Sequence, residues 1–402
     1  MQRSKRSRTN IIDVNHEKKR RKTNGEYLIR LLFDIFRILV IFLVRTNQSI
    51  TVFEDLSNEL IYELFDYLHS HHAFESFYDL NQRFQNFFLH SHHALHVNLS
   101  SISKPIFRRY LTQIIRPHPN RIQSLRICNH FAVDIYLFLL PLFNNFSGLE
   151  QLIIHNIELE HVEATVNSLF SLPMLSSLVI KSVGLIRISP RIYRTIFHLP
   201  ALKYCHLHIN IKRNLASLPR ATTGSSPIEH LIIDNEVSFN QIGILLSYVP
   251  RLRRLSFGQV ICYGISRTFT NVATLNYLID LSLNVRGISL NEFESLVRCY
   301  FRQVEILRFT TISTWYYSRE MEHLNAVRWE QIISTNLPNL RIFDFQQKYQ
   351  SRHHPVNDQE YQTKINEFNS LFWMQHQWFF VLQSYKTKHY KNYLFYSTSP
   401  YK

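Results

Sequence analysis

LPMLSSLVI (residues 172–180), LPALKYCHL (199–207), VPRLRRLSF (249–257) and LPNLRIFDF (337–345) are four copies of one pattern. Each opens with an apolar residue and Pro, then runs apolar-x-x-apolar-x-apolar. The same spacing recurs without Pro, so that nine units stand in the chain: Ile122, Leu125, Ile127; Leu149, Leu152, Ile154; Leu175, Leu178, Ile180; Leu202, Cys205, Leu207; Ile228, Leu231, Ile233; Leu252, Leu255, Phe257; Leu278, Leu281, Leu283; Val304, Leu307, Phe309; and Leu340, Phe343, Phe345. Successive units begin 27, 26, 27, 26, 24, 26, 26 and 36 residues apart. Within each, the last two apolar positions alternate with variable ones, the period of a strand with one buried face. Pro in the lead-in is expected to end a preceding helix and commit the chain to extended structure. The segments between, such as Val162–Leu172, Arg191–Leu199 and Gln241–Val249, have helical spacing and can cover that buried face. A single unit cannot bury its apolar edge, whereas nine stacked units can.

Residues 120–348 therefore resemble a degenerate leucine-rich repeat, whose period falls in the same range. The resemblance implies an α/β solenoid, a curved parallel sheet with outer helices. It departs where that family carries an Asn ladder after the strand. Only Asn210 stands there, and other units show Ile157, Val183, Val260 or Ile312, so the turns must satisfy their backbone groups differently. The register places Ser124 and Arg126, Gln151 and Ile153, Ser177 and Val179, Tyr204 and His206, His230 and Ile232, Arg254 and Ser256, Asp280 and Ser282, Ile306 and Arg308, and Ile342 and Asp344 on the outward face. In such solenoids that concave face binds protein partners, which makes Arg126, Tyr204, His206, His230, Arg254, Asp280, Arg308 and Asp344 the candidate substrate-binding residues. Plain solvent exposure is the competing reading for each. The basic residues are separated by neutral units and countered by Asp280 and Asp344, unlike the continuous basic stripe of a nucleic-acid groove.

Upstream lies TVFEDLSNELIYELFDYLHSHHAFESFYDLNQRFQNFF, residues 51–88. Leu56, Leu60, Ile61, Leu64 and Leu68 stack along one side of a helix, with Ser57 placed to cap it and Glu59 in its first turn. Phe74, Phe77, Tyr78, Leu80, Phe84, Phe87 and Phe88 are too many large apolar groups for one helix, so several short helices should pack together. The stretch resembles an F-box, whose pattern opens Leu-Pro-x-Glu-Leu and closes near Arg-x-Trp. Here the opening is Leu56, Ser57, Asn58, Glu59, Leu60 and the close is Leu80, Asn81, Gln82, Arg83, Phe84, with Ser57 in place of Pro and Phe84 in place of Trp. The resemblance implies that Leu56, Ser57, Glu59, Leu60, Leu64, Leu68, Leu80, Arg83 and Phe84 grip a Skp-type adaptor, and through it a cullin. A helical hairpin that only caps the next domain is the plain structural alternative.

The full division expected is a disordered basic tail over 1–26, an apolar helical segment over 27–50, the F-box over 51–98, a linker helix over 99–120, the repeat over 121–348 and an aromatic-rich cap over 349–402. The net charge of +15 is uneven, because residues 1–22 hold nine Lys or Arg against Asp13 and Glu17. Lys18–Lys22 could serve as an import signal or a phosphate contact, or stay a solvated tail. Tyr27–Val44 is apolar but broken by Arg30, Asp34 and Arg37, and its unbroken piece Ile38–Val44 is too short to span a bilayer. A helix beside the F-box is preferred there over an interfacial helix or a signal anchor, and no membrane partner is expected. Cys128, Cys205, Cys262 and Cys299 lack the close pairing of a metal knuckle or disulfide framework and read as reduced thiols of an intracellular, cytoplasmic or nuclear protein.

The His-rich copies His69–Ala73 and His90–Ala94 have no adjacent carboxylate or Cys, so loop histidines are the default over a metal site. The stretched interval Thr311–Asn336 holds Trp315, Tyr316, Tyr317 and Trp329, as binding determinants or as a local cap. Tyr385–Tyr396 could stack on RNA but is read first as part of the closing cap. No Gly-rich phosphate loop, nucleophile elbow or paired metal motif is present, so neither a cofactor nor enzymatic activity is expected. The joined resemblances imply the substrate receptor of a Skp-cullin-F-box ubiquitin ligase. The rivals are a nucleic-acid- or chromatin-associated repeat scaffold using the basic tail, and a plain scaffold whose F-box has decayed.

Overall fold

The computed structural model describes residues 56–66, 68, 70–90, 94–128, 132–183, 191–209, 221, 226–262, 275–314, 322–351, 358–387 and 391–398. The basic tail, the apolar segment 27–50, His69, Asn210 and the Trp315–Tyr317 cluster lie outside them. The chain forms two compact units, Met1–Ala73 and Phe74–Lys402.

The first unit contains helix α1 (Asn58–Asp66). The Ser57 carbonyl accepts the Ile61 N–H at 3.2 Å, closing the first helical turn. Leu56 and Ile61 are buried, whereas Leu60 is 37% exposed. The helix was expected to reach Leu68, but it stops at Asp66. Leu68 N–H bonds instead to the Phe65 carbonyl at 3.1 Å, the tightened i to i+3 contact that satisfies an orphan carbonyl at a helix end. Helix α2 (Ser70–Phe77) carries the chain across the unit boundary.

In the second unit, α3 (Gln82–His90) is capped by Asn81, whose Oδ1 accepts the Phe84 N–H at 3.2 Å. Phe84, Phe87 and Phe88 are buried on its inner side. The Phe74 ring lies 5.1 Å from Tyr110 of α4 (Lys104–Tyr110), which continues into a wide turn over Leu111–Ile115. Arg109 sits over the Phe74 ring at 5.2 Å and pairs with Asp79. Arg121 Nη1 donates to the Phe88 carbonyl at 2.6 Å. Residues 74–90 are thus tied to the start of the sheet through rings and a cation rather than through strand pairing.

Among the described residues the architecture is mixed α/β, with one open sheet of twelve strands. Strands β1 (Leu95–Asn98), β2 (Ile122–Ile127), β3 (Gln151–Glu158), β4 (Ser177–Val183), β5 (Tyr204–His208), β6 (His230–Ser238), β7 (Arg254–Ile261), β8 (Asp280–Arg286), β9 (Ile306–Thr314) and β10 (Ile342–Ser351) are all parallel and lie in chain order. Strand β1 falls inside the stretch assigned from sequence to the F-box. Its four residues LHVN carry too little alternation to announce a strand.

The register reproduces the repeat. Leu125, Leu152, Leu178, Cys205, Leu231, Leu255, Leu281, Leu307 and Phe343 align across nine strands. Ile127, Ile154, Ile180, Leu207, Ile233, Phe257, Leu283, Phe309 and Phe345 form a second row, and both rows are buried. Each such side chain contributes about 1.5–3 kcal/mol on burial. Helices α5 (Ala132–Leu139), α6 (Leu159–Ser168), α7 (Arg191–Phe197), α8 (Phe239–Ser247), α9 (Leu290–Tyr300) and α10 (Ala326–Asn336) fill the connections. They cover the apolar side: Phe293 of α9 and Trp329 of α10 lie 4.8 and 5.1 Å from the Phe309 ring.

The Leu-Pro lead-in follows a helix end as expected, the preceding helical segments stopping at Ser171, Phe197, Ser247 and Asn336, and it also builds a turn. The N–H groups of Leu175, Leu252 and Leu340 bond to the carbonyls of Leu172, Val249 and Leu337. Pro is therefore the second residue of a β-turn, where its fixed φ suits the geometry. Leu149, Leu278 and Val304 make the same turn without Pro. Next to it, one carbonyl per unit accepts two successive N–H groups of the following unit. Glu150 O takes those of Ser176 and Ser177, Lys203 O those of Glu229 and His230, and Glu229 O those of Arg253 and Arg254, at 2.8–3.0 Å.

Several strands also outrun the repeat, through bulges in β3, β6 and β7. Beyond them Val237, Val260, Val285, Thr311 and Gln347 line up as a third buried row. Continued strand pairing thus satisfies the backbone where an Asn ladder would stand. After β10 come α11 (Asp358–Asn366), α12 (Leu371–Gln375) and the hairpin β11 (Phe380–Lys386) and β12 (Lys391–Ser397), which continues the sheet antiparallel in the order β10-β12-β11. Phe345, Phe368, Phe380, Phe395 and Trp373 pack there around the end of the apolar rows. Phe395 of the basic-aromatic stretch is buried in this cluster and Tyr393 is buried against Tyr349 and Tyr361, whereas Tyr385 is exposed.

Candidate interaction surface

Strand alternation turns the remaining side chains of β1–β10 to the face opposite the helices. The pairing aligns Ser124, Gln151, Ser177, Tyr204, His230, Arg254, Asp280, Ile306 and Ile342 in one row. Arg126, Ile153, Val179, His206, Ile232, Ser256, Ser282, Arg308 and Asp344 align in the next. Tyr204, His230, Arg254 and Asp280 thus stand in the first row, and Arg126, His206, Arg308 and Asp344 in the second. Strand β1 extends both rows with His96 and Asn98.

A third outward position was not drawn from the sequence. His155 pairs with Lys181 and Lys181 with His208, along β3, β4 and β5. Asp234 on β6 completes this corner. Its Oδ2 lies 2.6 Å from His206 Nε2 and 3.8 Å from Lys181 Nζ. Following the alternation two residues further along each strand would have found all four.

The neighbours set the electrostatics. Burial holds the His155 proton affinity below the usual imidazole value, and Lys181, Arg126 and His206 press it lower. Burial also lowers His230, with Arg254 and His206 adding to the effect and Asp280 opposing it. Tyr204 meets the His230 ring edge-on at 4.9 Å, and burial raises its phenol above the usual value. Asp280 is paired with Arg308, and Asp344 accepts from Ser397 Oγ at 3.2 Å. Arg126 and Arg254 are exposed. The surface offers hydrogen-bond donors and cations over β2–β7, with the Asp280–Arg308 ion pair and the hydrogen-bonded Asp344 over β8–β10.

The residues assigned to adaptor binding have mixed exposure. Ser57, Glu59 and Leu60 are exposed and Leu64 and Leu68 half-buried, whereas Leu56 is buried. In the second unit Leu80 is 54% exposed, Arg83 is half-buried over the Phe87 ring at 5.7 Å, and Phe84 is fully buried. Phe84 contacts Phe77 and Phe87, so it serves the local core.

Trp329 in the stretched interval is also core, its Nε1 donating to the His323 carbonyl at 2.9 Å. Cys205 and Cys262 are buried, and Cys128 and Cys299 half-buried. Among the described residues no group of three or more His, Cys, Asp and Glu could hold a metal ion. Among the same residues no helix is long and apolar enough to cross a membrane. No protein-family model and no curated protein matches the chain.

Proposed function

We propose that this chain is the substrate receptor of a Skp-cullin-F-box type ubiquitin ligase, with the F-box at residues 51–88 and a leucine-rich-repeat solenoid over 121–348. The observation that carries the reading is the in-register alignment of nine apolar pairs directly behind a helical segment with the F-box order of residues. Further support is that α1 starts right after Leu56-Ser57 and leaves Leu60 partly exposed. Leu80 of the second unit is likewise exposed. The chain would contribute proximity, holding a substrate lysine near the charged ubiquitin carrier and raising its effective concentration without a catalytic residue of its own.

The test is co-purification with a Skp adaptor. Leu60→Glu and Leu80→Glu each alter an exposed side chain and should abolish capture while the sheet stays folded. Failure of the unaltered chain to capture the adaptor would overturn the ligase role.

A further inference from the structure

We propose that the outward face of β2–β7 docks an acidic, carboxylate-rich segment of a partner protein. The proposal deepens the substrate-receptor reading and rests on it only in taking this face as the partner surface. The first three outward positions of these six strands carry Arg126, Lys181 and Arg254 as fixed cations and His155, His206, His208 and His230 as titratable ones. Asp234 is the one carboxylate among those positions, and His206 and Lys181 already engage it. Glu158 and Glu236 follow only at the far ends of β3 and β6. On the next strand Asp280 is paired with Arg308. The excess of cations is therefore left facing solvent.

The middle row begins with Arg126 and then carries the apolar side chains Ile153 and Val179, with Ile232 beyond His206, as a shallow floor between the first and third rows. An extended segment that alternates apolar and acidic residues matches it, with the apolar side chains on the floor and the carboxylates reaching Arg126, Lys181 and Arg254. The cations around His155 and His230 create a field that an anionic ligand relieves. Docking is then coupled to proton uptake by those imidazoles, and affinity rises as pH falls.

The test uses the full chain and a fluorescein-labelled Glu-Val repeat peptide, read by anisotropy. The double variant Lys181→Glu, Arg254→Glu is expected to bind about tenfold more weakly. Arg126→Glu alone, at an exposed position, should weaken binding in the same direction. Lys348→Glu on β10 and deletion of residues 1–22 should leave it unchanged. Binding should tighten from about pH 7.5 to about pH 6, and weaken with added salt. Circular dichroism and urea midpoints report that the variants remain folded. Binding that disappears with the tail, or is indifferent to all three face substitutions, overturns the proposal. So does a single-stranded RNA of equal charge that displaces the peptide at lower concentration. Adaptor capture is measured on the same preparations: loss of capture with peptide binding intact removes the ligase reading alone, and the reverse removes the docking site alone.

Discussion

A Cβ on Gly258 would lie 2.6 Å from the carbonyl oxygen of Asp234 and 2.7 Å from its Cα. Asp234 and Asn235 of β6 stand opposite the single residue Gly258 of β7, a bulge between the pairs Ile233–Phe257 and Glu236–Gln259. The bulge lets Asp234 reach His206 on the outward face while Asn235 turns inward to accept from Tyr193 at 3.3 Å. Because the obstructing atoms are backbone, no rotamer change relieves the contact. Gly258→Ala should therefore destabilise by about 2–3 kcal/mol in urea titration, where an unobstructed glycine gives a small gain. An unchanged or raised midpoint would remove the close approach as a constraint on the bulge.

Helix α9 carries a reciprocal cap. Ser289 Oγ accepts the Glu292 N–H at 3.1 Å, and the Glu292 carboxylate accepts the Ser289 N–H at 2.7 Å. The next N–H, of Leu290, is taken by Glu322 Oε1 at 2.8 Å. Ser289→Ala and Glu292→Ala should each cost about 1 kcal/mol, and a double-mutant cycle should show a clearly non-additive sum. Additive losses would mean that the two halves of the cap act separately.

The outward rows were legible because strand side chains alternate: once Leu125 and Ile127 are fixed inward, Ser124 and Arg126 have only one side to occupy. The same rule, carried two residues further, contains His155, Lys181, His208 and Asp234. The pairing of His206 with Asp234 across β5 and β6 is less accessible, since it depends on the bulge that displaces Asp234. Sequence signals of a bulge exist, Gly258 in mid-strand and Asn156 at φ 60° among them, but they do not say which partner residue is displaced. Strand β1 escaped notice because two apolar residues, Leu95 and Val97, are too few to set a period. The proline lead-in marks the helix ends at Ser171, Phe197, Ser247 and Asn336 as expected, but the turn that it also builds stayed hidden, because a helix stop and the second position of a turn both favour proline.

Trp329 occupies a position where sequence reading left open a binding role or a cap. It is fully buried among Phe293, Phe309, Phe343 and Phe345, with ring centroids 5.1–5.5 Å away. Removing the indole leaves a large void and deletes its hydrogen bond to the His323 carbonyl. Trp329→Ala should cost about 3–5 kcal/mol in urea titration, with Trp329→Phe costing less. A loss under about 1 kcal/mol would mean that the helices collapse readily onto the gap.

Cys205 replaces leucine in the first buried row, and burial pushes its thiol far above the ordinary value. The thiolate is the reactive species, so Cys205 should resist alkylation until the sheet unfolds. Iodoacetamide followed by peptide mapping should modify the half-buried Cys128 and Cys299 first. Labelling of Cys205 at a comparable rate in the native protein would contradict its place in the core row.

His155 and His230 make stability depend on pH in a fixed direction. Their folded proton affinities lie below the ordinary value of 6.5, chiefly through burial, and then through Lys181, Arg126 and His206 for one and Arg254 and His206 for the other. Asp280 pulls His230 the opposite way without reversing the shift. Between each lowered folded value and 6.5 the unfolded chain binds more protons, so stability rises with pH across that window. Their contribution is complete above 6.5 and is lost as pH falls toward the folded values. Relative to the unaltered chain, His155→Gln and His230→Gln should each flatten the fall in urea midpoint between about pH 7.5 and about pH 5.5. A parallel fall in all three proteins would show that these imidazoles do not carry the effect. Bound Glu-Val peptide should shrink the fall in the unaltered chain, because its carboxylates favour the protonated rings that Lys181 and Arg254 oppose.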